Sequence, residues 1–192
     1  MPTTSSDPAQ QLSVLAEQIR HCTLCPLHAS RTLAVPGDGK SAARLMFIGE
    51  APGKDEDLAG HPFVGAAGAV LQRLLASHGI ARQDVFITNI VKCRPANNRV
   101  PRKGEITTCT SHYLFNQIAL VDPQLIMLLG GVAAKTMLGI SNVKEARGRV
   151  ITQQGRKFLV GYHPAATFYR EGLLEAMQED YAMLARELQK LA

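Results

Sequence analysis

Hydrophobic residues occur along this chain in two distinct patterns. Four short runs rich in apolar residues lie at 45–48, 85–90, 125–129 and 157–160, and those at 45–48 and 125–129 are continuous. Runs of this length that are bounded by turn residues are typical of strands buried on both faces. Apolar residues at helical spacing follow each run, at 66–78, about 104–120, 131–138 and 173–191. This alternation predicts βαβ units, and therefore a mainly parallel sheet with helices on both faces.

The rest of the chain adds a tail, a first helix and a hairpin. Residues 1–8 are small and polar, which predicts a flexible tail, and apolar positions at helical spacing predict a helix directly after it. Residues 149–152 can pair with the run at 157–160 as a hairpin, because only a short polar segment separates them. No repeat or linker interrupts residues 9–192, so we expect them to form a single domain.

The composition is that of an ordinary folded protein with a surplus of positive charge. Of the 192 residues, 46% are hydrophobic and 19% are charged, so disorder is not expected. Lysine and arginine outnumber aspartate and glutamate by 21 to 16, and the net charge of +5 suits a polyanionic partner without proving one. No apolar run approaches the ~18 residues of a membrane span, and the first residues lack the features of a signal peptide. We therefore expect a cytoplasmic protein that does not contact a membrane.

The four cysteines form the sharpest chemical pattern. Two residues separate Cys22 from Cys25, whereas Cys93 and Cys109 follow singly and much later. In a reducing compartment such cysteines bind a metal or a cluster more often than they form disulfides. Four thiolates can hold either zinc or an iron–sulfur cluster, and the spacing does not choose between the two. Buried cysteines without a ligand are the remaining alternative.

Polar residues stand where three of the predicted strands end. Glu50 follows the first strand, Asn89 closes the second and His163 follows the fourth. Because the carboxyl ends of parallel strands meet at one edge of a sheet, where α/β proteins bind ligands, these side chains should converge. Glu50 can act on water, Asn89 offers the donor and acceptor that match a pyrimidine edge, and His163 can donate to an oxygen that gains charge. Phe63, in the loop after Glu50, can stack on a planar ring.

Each of these residues also has a structural alternative. Glu50 can cap a helix, Phe63 can fill the core, and a single histidine at a strand end is most often structural. The acidic run 55–57 can equally be solvated. Convergence of several polar side chains on one sheet edge favours a site over these alternatives.

Four motifs resemble those of one known family. They read Gly49-Glu50-Ala51-Pro52-Gly53, Gly60-His61-Pro62-Phe63-Val64-Gly65, Thr88-Asn89-Ile90-Val91-Lys92-Cys93-Arg94-Pro95 and His163-Pro164-Ala165-Ala166. With the four cysteines they span residues 22–166, and in this combination they are similar to the family 4 uracil-DNA glycosylases, the bacterial and archaeal iron–sulfur type. The resemblance implies an α/β fold of the uracil-DNA glycosylase type, a three-layer α/β/α sandwich with a central four-stranded parallel sheet.

The same resemblance implies an activity and a cofactor. Such enzymes flip uracil out of single-stranded DNA or out of U:G and U:A pairs and hydrolyse its N-glycosidic bond, which leaves an abasic site for base excision repair. A [4Fe–4S] cluster is implied on Cys22, Cys25, Cys93 and Cys109. The implied partner is uracil-containing DNA, and we expect the protein to act as a monomer.

The resemblance also assigns roles to residues of a uracil pocket. Phe63 would stack on the flipped base, Asn89 would read its Watson–Crick edge, and His163 would support the departing uracil anion. Glu56 is similar to the residue that crowds out the thymine methyl group.

The motif that handles water differs from that of the better-known family 1 enzymes. Those enzymes carry an aspartate where this chain has Ala51, directly after Glu50. Ala51 is therefore expected only to line the uracil pocket. Glu50 can position water, or the uracil anion and the DNA phosphates can supply most of the stabilisation; we expect Glu50 and His163 to be the catalytic residues.

Basic and aromatic residues near these motifs are expected to contact the DNA. The candidates are Asn98, Arg99, Arg102, Lys103, Phe168 and Arg170. Phe168, with Tyr169 as the alternative, stands where a leucine would be expected in the segment that enters the minor groove. The segment after Cys93 lacks the inserted basic loop and histidine with which a related branch traps its product, so we expect turnover.

Two other classes of function compete with this interpretation. A cluster-bearing DNA-binding or redox-sensing module would need the cysteines and the positive charge, but not Glu50, Asn89 and His163. A zinc-stabilised hydrolase of free nucleotides would need four sulfur ligands around a colourless metal.

Overall fold

A computed structural model describes residues 7–191 of the chain. Most of the predicted tail, residues 1–6, lies outside the described residues, whereas Asp7 caps the first helix and Pro8 begins it. The helices are α1 Pro8–Arg20, α2 Lys54–Ala59, α3 Ala66–Ser77, α4 Lys103–Cys109, α5 Phe115–Val121, α6 Gly131–Leu138, α7 Val143–Ala146 and α8 Leu173–Gln189. The strands are β1 Asp38–Gly39, β2 Leu45–Gly49, β3 Phe86–Asn89, β4 Leu125–Leu129, β5 Ile151–Gln153 and β6 Arg156–Gly161.

The sheet has the order β1-β3-β2-β4-β6-β5. Its four central strands are parallel, as the apolar runs predict, and β5 pairs with β6 as the predicted antiparallel hairpin. The short strand β1 adds a second antiparallel edge, against β3. The sequence predicts only a turn there, because two residues are too few to show a hydrophobic period and only the pairing with β3 defines the strand.

Alternate residues of the central strands supply two separate cores. In β2, Met46 and Ile48 pack with α1, α5 and α6, whereas Leu45 and Phe47 pack on the opposite face with α3 and α8. All five residues of β2 are buried, as are all five of β4. Both faces of the sheet are therefore covered, which gives the predicted three-layer α/β/α sandwich.

The single helix predicted at about 104–120 is interrupted. A π-helical turn, Thr110–Leu114, joins α4 to α5. Thr110 Oγ1 donates to the Ile106 and Thr107 carbonyls, and Ser111 Oγ donates to those of Thr107 and Thr108. Hydroxyl groups that bond back to the preceding turn compete with the regular helical hydrogen bonds. The interruption begins directly after Cys109. Within residues 7–191, no helix is long and apolar enough to cross a membrane.

Candidate active site

The carboxyl ends of β2, β3 and β6 open into one cavity of about 300 Å³. Glu50, Phe63, Asn89 and His163 all line it, although they come from distant parts of the chain. Its volume lies at the lower end of the range for small-molecule sites in proteins. The structure therefore brings together the four side chains that the sequence places at strand ends and in the loop after β2.

Asn89 ends β3 and is buried beside Gly49 of β2, with which it is in register. A Cβ atom on Gly49 would lie 2.4 Å from Asn89 Oδ1 and 2.9 Å from Phe63 Cζ, so only glycine leaves room for both side chains. Asn89 Oδ1 is buried and has no hydrogen-bond partner among the described residues. Since buried polar atoms are nearly always paired, this oxygen is suited to accept from a ligand.

His163 follows β6 and begins a 3₁₀ turn, Pro164–Phe168. Its Nδ1 accepts a hydrogen bond from the Ala165 amide at 3.2 Å, which leaves the ring proton on Nε2. Removal of the ring from water lowers the pKa of His163 to about 4, although the nearby Glu56 carboxylate opposes this shift. The imidazole is therefore neutral near pH 7, and its Nε2–H can donate to a ligand in the cavity.

Glu50 lies at the tip of β2, where its main-chain carbonyl accepts from the Val91 amide at 3.1 Å. Burial raises the pKa of its carboxyl group. Within the part of the chain that the structure describes, this carboxylate makes no hydrogen bond and no ion pair. It is a partly dehydrated base without a protein partner, which suits a group that acts on water. Ala51 lines the cavity next to it.

The loop between β2 and α3 is held by the Glu56 carboxylate. Glu56 Oε2 accepts from the Gly53 amide at 3.1 Å, and Oε1 accepts from the amides of Val64 and Gly65 at 3.0 and 2.9 Å. Asp57 is buried and accepts from the Thr32 amide at 2.9 Å. The acidic run 55–57 is thus not simply solvated, since Glu56 organises the loop and Asp57 binds the separate segment at Thr32.

Phe63 has an unusual backbone conformation, with φ at +53°. Its ring is buried and faces the His163 ring, with centroids 5.6 Å apart and planes inclined by 30°. A positive φ is rare for a bulky residue, and such conformations persist where the surrounding structure enforces them. The aromatic wall of the cavity therefore depends on contacts that hold this one residue.

The residues expected to contact DNA fall into two groups. Asn98 and Arg99 line the cavity, whereas Arg102, Lys103, Phe168 and Arg170 are exposed outside it. Both terminal nitrogens of Arg99 donate to the buried Glu105 carboxylate, at 2.9 and 2.7 Å. Arg99 is thus engaged in an ion pair that ties its loop to α4.

Tyr169, rather than Phe168, lines the cavity. Its side chain is 85% exposed, and its ring lies 6.5 Å from that of Phe168 between centroids. Sequence reasoning does not identify the lining residues Ala67, Pro95 and Ala165, because small apolar side chains have no functional group that points to a site.

The four cysteines line a second, smaller cavity between α1, the end of β3 and α4. Burial raises the pKa of the Cys25 and Cys93 thiols, and that of Cys109 to about 11. Arg31 Nη1 donates to Cys93 Sγ at 3.0 Å. The fully buried Lys92 lies beside them, and its Nζ donates to Thr88 Oγ1 at 2.6 Å and to the Asn89 carbonyl at 2.7 Å. Two cations are therefore placed to offset the negative charge of bound thiolates.

The thiols can be compared with the needs of the possible ligands. No three histidine, cysteine, aspartate or glutamate side chains within residues 7–191 are grouped so that they could hold a metal ion. A zinc site requires four sulfur atoms at about 2.3 Å from one ion. Four sulfur donors that line one cavity are a donor set that fits either zinc or an iron–sulfur cluster.

Comparison with known proteins gives consistent matches. The family model described as the uracil DNA glycosylase superfamily matches residues 36–189. The chain is 41% identical to the type-4 uracil-DNA glycosylase of Archaeoglobus fulgidus, over 90% of each chain. It is 43% identical to that of Saccharolobus solfataricus, over 92% of this chain and 86% of the relative. The same comparison with the Thermotoga maritima protein gives 41% identity over 80% and 81%. The chain therefore belongs to the uracil-DNA glycosylase superfamily and, within it, to the type-4 uracil-DNA glycosylases.

Proposed function

We propose that this protein removes uracil from DNA by hydrolysing the N-glycosidic bond of deoxyuridine, and that it leaves an abasic site for base excision repair. The observation that carries the proposal is the cavity in which Glu50, Phe63, Asn89 and His163 meet. A base inside a duplex cannot reach such a cavity and must be flipped out, at a cost that is least for single strands and mispairs. Single-stranded uracil and U:G pairs are therefore the favoured substrates, with U:A pairs also accepted.

Recognition of uracil rests on Asn89 and Phe63. Uracil presents an N3–H donor next to the O4 acceptor, and the Asn89 amide offers the complementary pair. The unpaired Oδ1 would accept from N3–H, while Nδ2 would donate to O4. Phe63 would stack on the ring. Glu56 lies at the same wall and would leave no room for a 5-methyl group, which excludes thymine.

When the N-glycosidic bond breaks, its electron pair stays with the base. As the C1′–N1 bond breaks, negative charge develops on the uracil oxygens and positive character on the sugar. The neutral His163 can donate its Nε2–H to the uracil O2, and one such preorganised donor is worth about 3 kcal/mol. Glu50 would orient the water that adds to C1′ and accept its proton, because Ala51 offers no second carboxylate.

Binding of the DNA strand is assigned to the exposed residues around the cavity. Asn98, Arg102, Lys103 and Arg170 would contact phosphates, and binding would weaken as salt is raised. The exposed rings of Phe168 and Tyr169 would enter the minor groove and fill the space left by the flipped base. We propose a cytoplasmic enzyme that acts as a monomer, since one chain carries every group that the reaction needs.

We further propose that the second cavity holds a [4Fe–4S] cluster, bound by Cys22, Cys25, Cys93 and Cys109. When bound, the cluster would supply iron–thiolate bonds that cross-link three parts of the chain. Lys92 and Arg31 support this assignment, because their positive charges would offset that of the thiolates. The chemical step would take place in the other cavity, which none of the cysteines lines.

The activity is tested by incubating the purified protein with uracil-containing single- and double-stranded DNA and then cleaving abasic sites with alkali. Strand scission at uracil positions is expected in both substrates. Binding without scission at any salt concentration would favour the DNA-binding or redox module instead. Release of uracil from free deoxyuridine nucleotides, but not from DNA, would favour the nucleotide hydrolase.

Replacement of Cys22 by Ser tests the cysteine site. We expect a lower yield of folded protein and the loss of a broad absorption near ~400 nm, because one thiolate ligand of the cluster is missing. Thr23→Ala, an exposed change in the same turn, should leave both unchanged. A colourless wild-type protein that contains zinc and no acid-labile sulfide would contradict the cluster.

Replacement of Gly49 by Ala tests how closely the pocket is packed. The new methyl group would displace the Asn89 amide or the Phe63 ring, so we expect uracil release to fall by about 10²-fold or more. Gly104→Ala is the matched control, since a Cβ atom there meets no atom within 4 Å. Single-turnover rates compare the two variants. Equal rates would show that the two side chains do not need this space.

A further inference from the structure

Phe63 would not adopt its left-handed backbone conformation without support. Its φ of +53° is unfavourable for any residue with a bulky side chain. The conformation turns the ring toward Gly49 and His163, which is where a stacked base would lie. Some feature of the surrounding structure must therefore fix the two peptide groups that flank Phe63.

Two charged side chains hold these two peptide groups. Arg82 Nη2 donates to the Pro62 carbonyl at 2.6 Å, which fixes the peptide before Phe63. Glu56 Oε1 accepts from the Val64 amide at 3.0 Å, which fixes the peptide after it. The dihedral angles φ and ψ of Phe63 describe the orientation of these two peptides relative to its Cα atom. The guanidinium and the carboxylate therefore set the backbone of Phe63 from opposite sides.

Neighbouring contacts strengthen this arrangement. A Cβ atom on Gly68 would lie 2.0 Å from the Phe63 carbonyl oxygen, so α3 leaves room for that peptide only because residue 68 is glycine. His61, which precedes Pro62, pairs with Asp38 at 2.9 Å. Arg82 is partly buried, and burial lowers its pKa while Asp38 opposes the shift. The guanidinium of Arg82 gives up part of its hydration and donates to the Pro62 carbonyl, which is expected of a side chain with a structural role.

Arg82 also connects the two recognition elements. It opens the 3₁₀ turn Arg82–Asp84, which leads directly into β3 and thus to Asn89. Its side chain reaches back to the loop that carries Phe63. Arg82 therefore links the segment that leads to Asn89 with the loop that carries Phe63.

We propose that Arg82 is a positioning residue for uracil binding, which holds Phe63 in its stacking conformation together with Glu56. This inference rests on the proposed function, since it assigns a purpose to the Phe63 ring. It also gives Glu56 a second task besides the exclusion of thymine. Arg82 is not among the residues that line the cavity, so it would act through the Pro62 carbonyl rather than on the substrate.

A double-mutant cycle tests the proposal on the full protein. Arg82→Met removes the donor and keeps the aliphatic stem, and we expect it to slow single-turnover release of uracil about tenfold. Arg82→Lys, which can still donate to the carbonyl, should stay within about threefold of wild type. In a Phe63→Ala background, Arg82→Met should cost less than about twofold, because the residue that it positions is gone. If the rate losses of Arg82→Met and Phe63→Ala multiplied in the double variant, the proposal would be overturned.

Two measurements separate this result from a general loss of stability and from failure of the proposed function. Arg73→Met, an exposed change on α3, should leave the rate unchanged, and thermal unfolding shows whether each variant is folded. If Arg82→Met does not fold, Arg82→Gln takes its place. The NMR resonances of the His163 ring report the position of the Phe63 ring without any activity. They should shift in Arg82→Met and not in Arg73→Met, and unchanged resonances would overturn the proposal even if the wild-type protein released no uracil.

Discussion

Replacing Asn89 with Asp is expected to reduce the release of uracil from DNA by about 10³-fold. The carboxylate can accept from N3–H but cannot donate to O4, so it places two oxygens against each other in a buried site. A buried site that forms hydrogen bonds with its substrate disfavours any pairing in which one of these bonds cannot form. The same carboxylate can accept from the amino group of cytosine, so the remaining activity should no longer prefer uracil. Single-turnover assays on matched strands that contain uracil, cytosine or thymine measure both effects.

Asn116→Asp provides the control for this change. Asn116 lies on α5, where its Nδ2 donates to the His112 carbonyl on the surface, away from the cavity. The substitution makes the same change of charge and should leave both the rate and the selectivity unaltered. If Asn89→Asp kept full activity on uracil, the side chain of Asn89 would not be the group that reads the base.

Replacing His163 with Ala is expected to lower the rate of bond cleavage by about 10²-fold or more, with a smaller effect on DNA binding. The lost Nε2–H is the donor for the uracil oxygen that gains charge, and interactions of this kind act mainly in the transition state. Single-turnover rates at saturating DNA separate cleavage from binding. His78→Ala, at the far end of α3, removes a histidine outside the cavity and should retain the wild-type rate. A rate near wild type for His163→Ala would assign this histidine a structural role.

The lowered pKa of His163 also predicts how stability depends on pH. Its value is about 4 in the folded protein and about 6.5 in an unfolded chain, so the unfolded state takes up a proton first as the pH falls. The free energy of unfolding should therefore decrease between about pH 6.5 and pH 4, and His163 should contribute no further decrease below that. The free energy of unfolding of His163→Ala should lack the part of this decrease that is due to His163. His163 itself should cause no break in the rate of cleavage near pH 6.5, because its imidazole is neutral on both sides of that pH.

The polar side chains that line the cavity could be predicted from sequence, because they stand where strands end. A continuous apolar run followed by a polar residue indicates a buried strand and its carboxyl end, and parallel strands bring these ends together. Glu50, Asn89 and His163 were placed by this reasoning, and the structure has all three in one cavity. The four cysteines could also be identified from sequence as candidate ligands, because the ability to bind a metal is a property of the cysteine side chain itself.

The contacts made by individual charged groups could not be predicted in this way. The sequence predicts that Arg99 contacts DNA, and only the structure shows that its guanidinium binds the buried Glu105. Arg82 lies in a turn without any motif, and only the fold brings it within 2.6 Å of the Pro62 carbonyl. A surface arginine and a structural arginine look the same in sequence, because the difference between them is the identity of a distant partner.

The sequence by itself determined the four central strands and the helices that follow them, the two-sided burial of the sheet and the set of candidate side chains, because hydrophobic periodicity and residue type are local properties. The tertiary structure decided which peptide amides bind the Glu56 carboxylate, why residue 49 must be glycine, and how Phe63 is held at a positive φ. These features depend on distances of a few ångströms between segments far apart along the chain. Such distances are set when the packed layers come together.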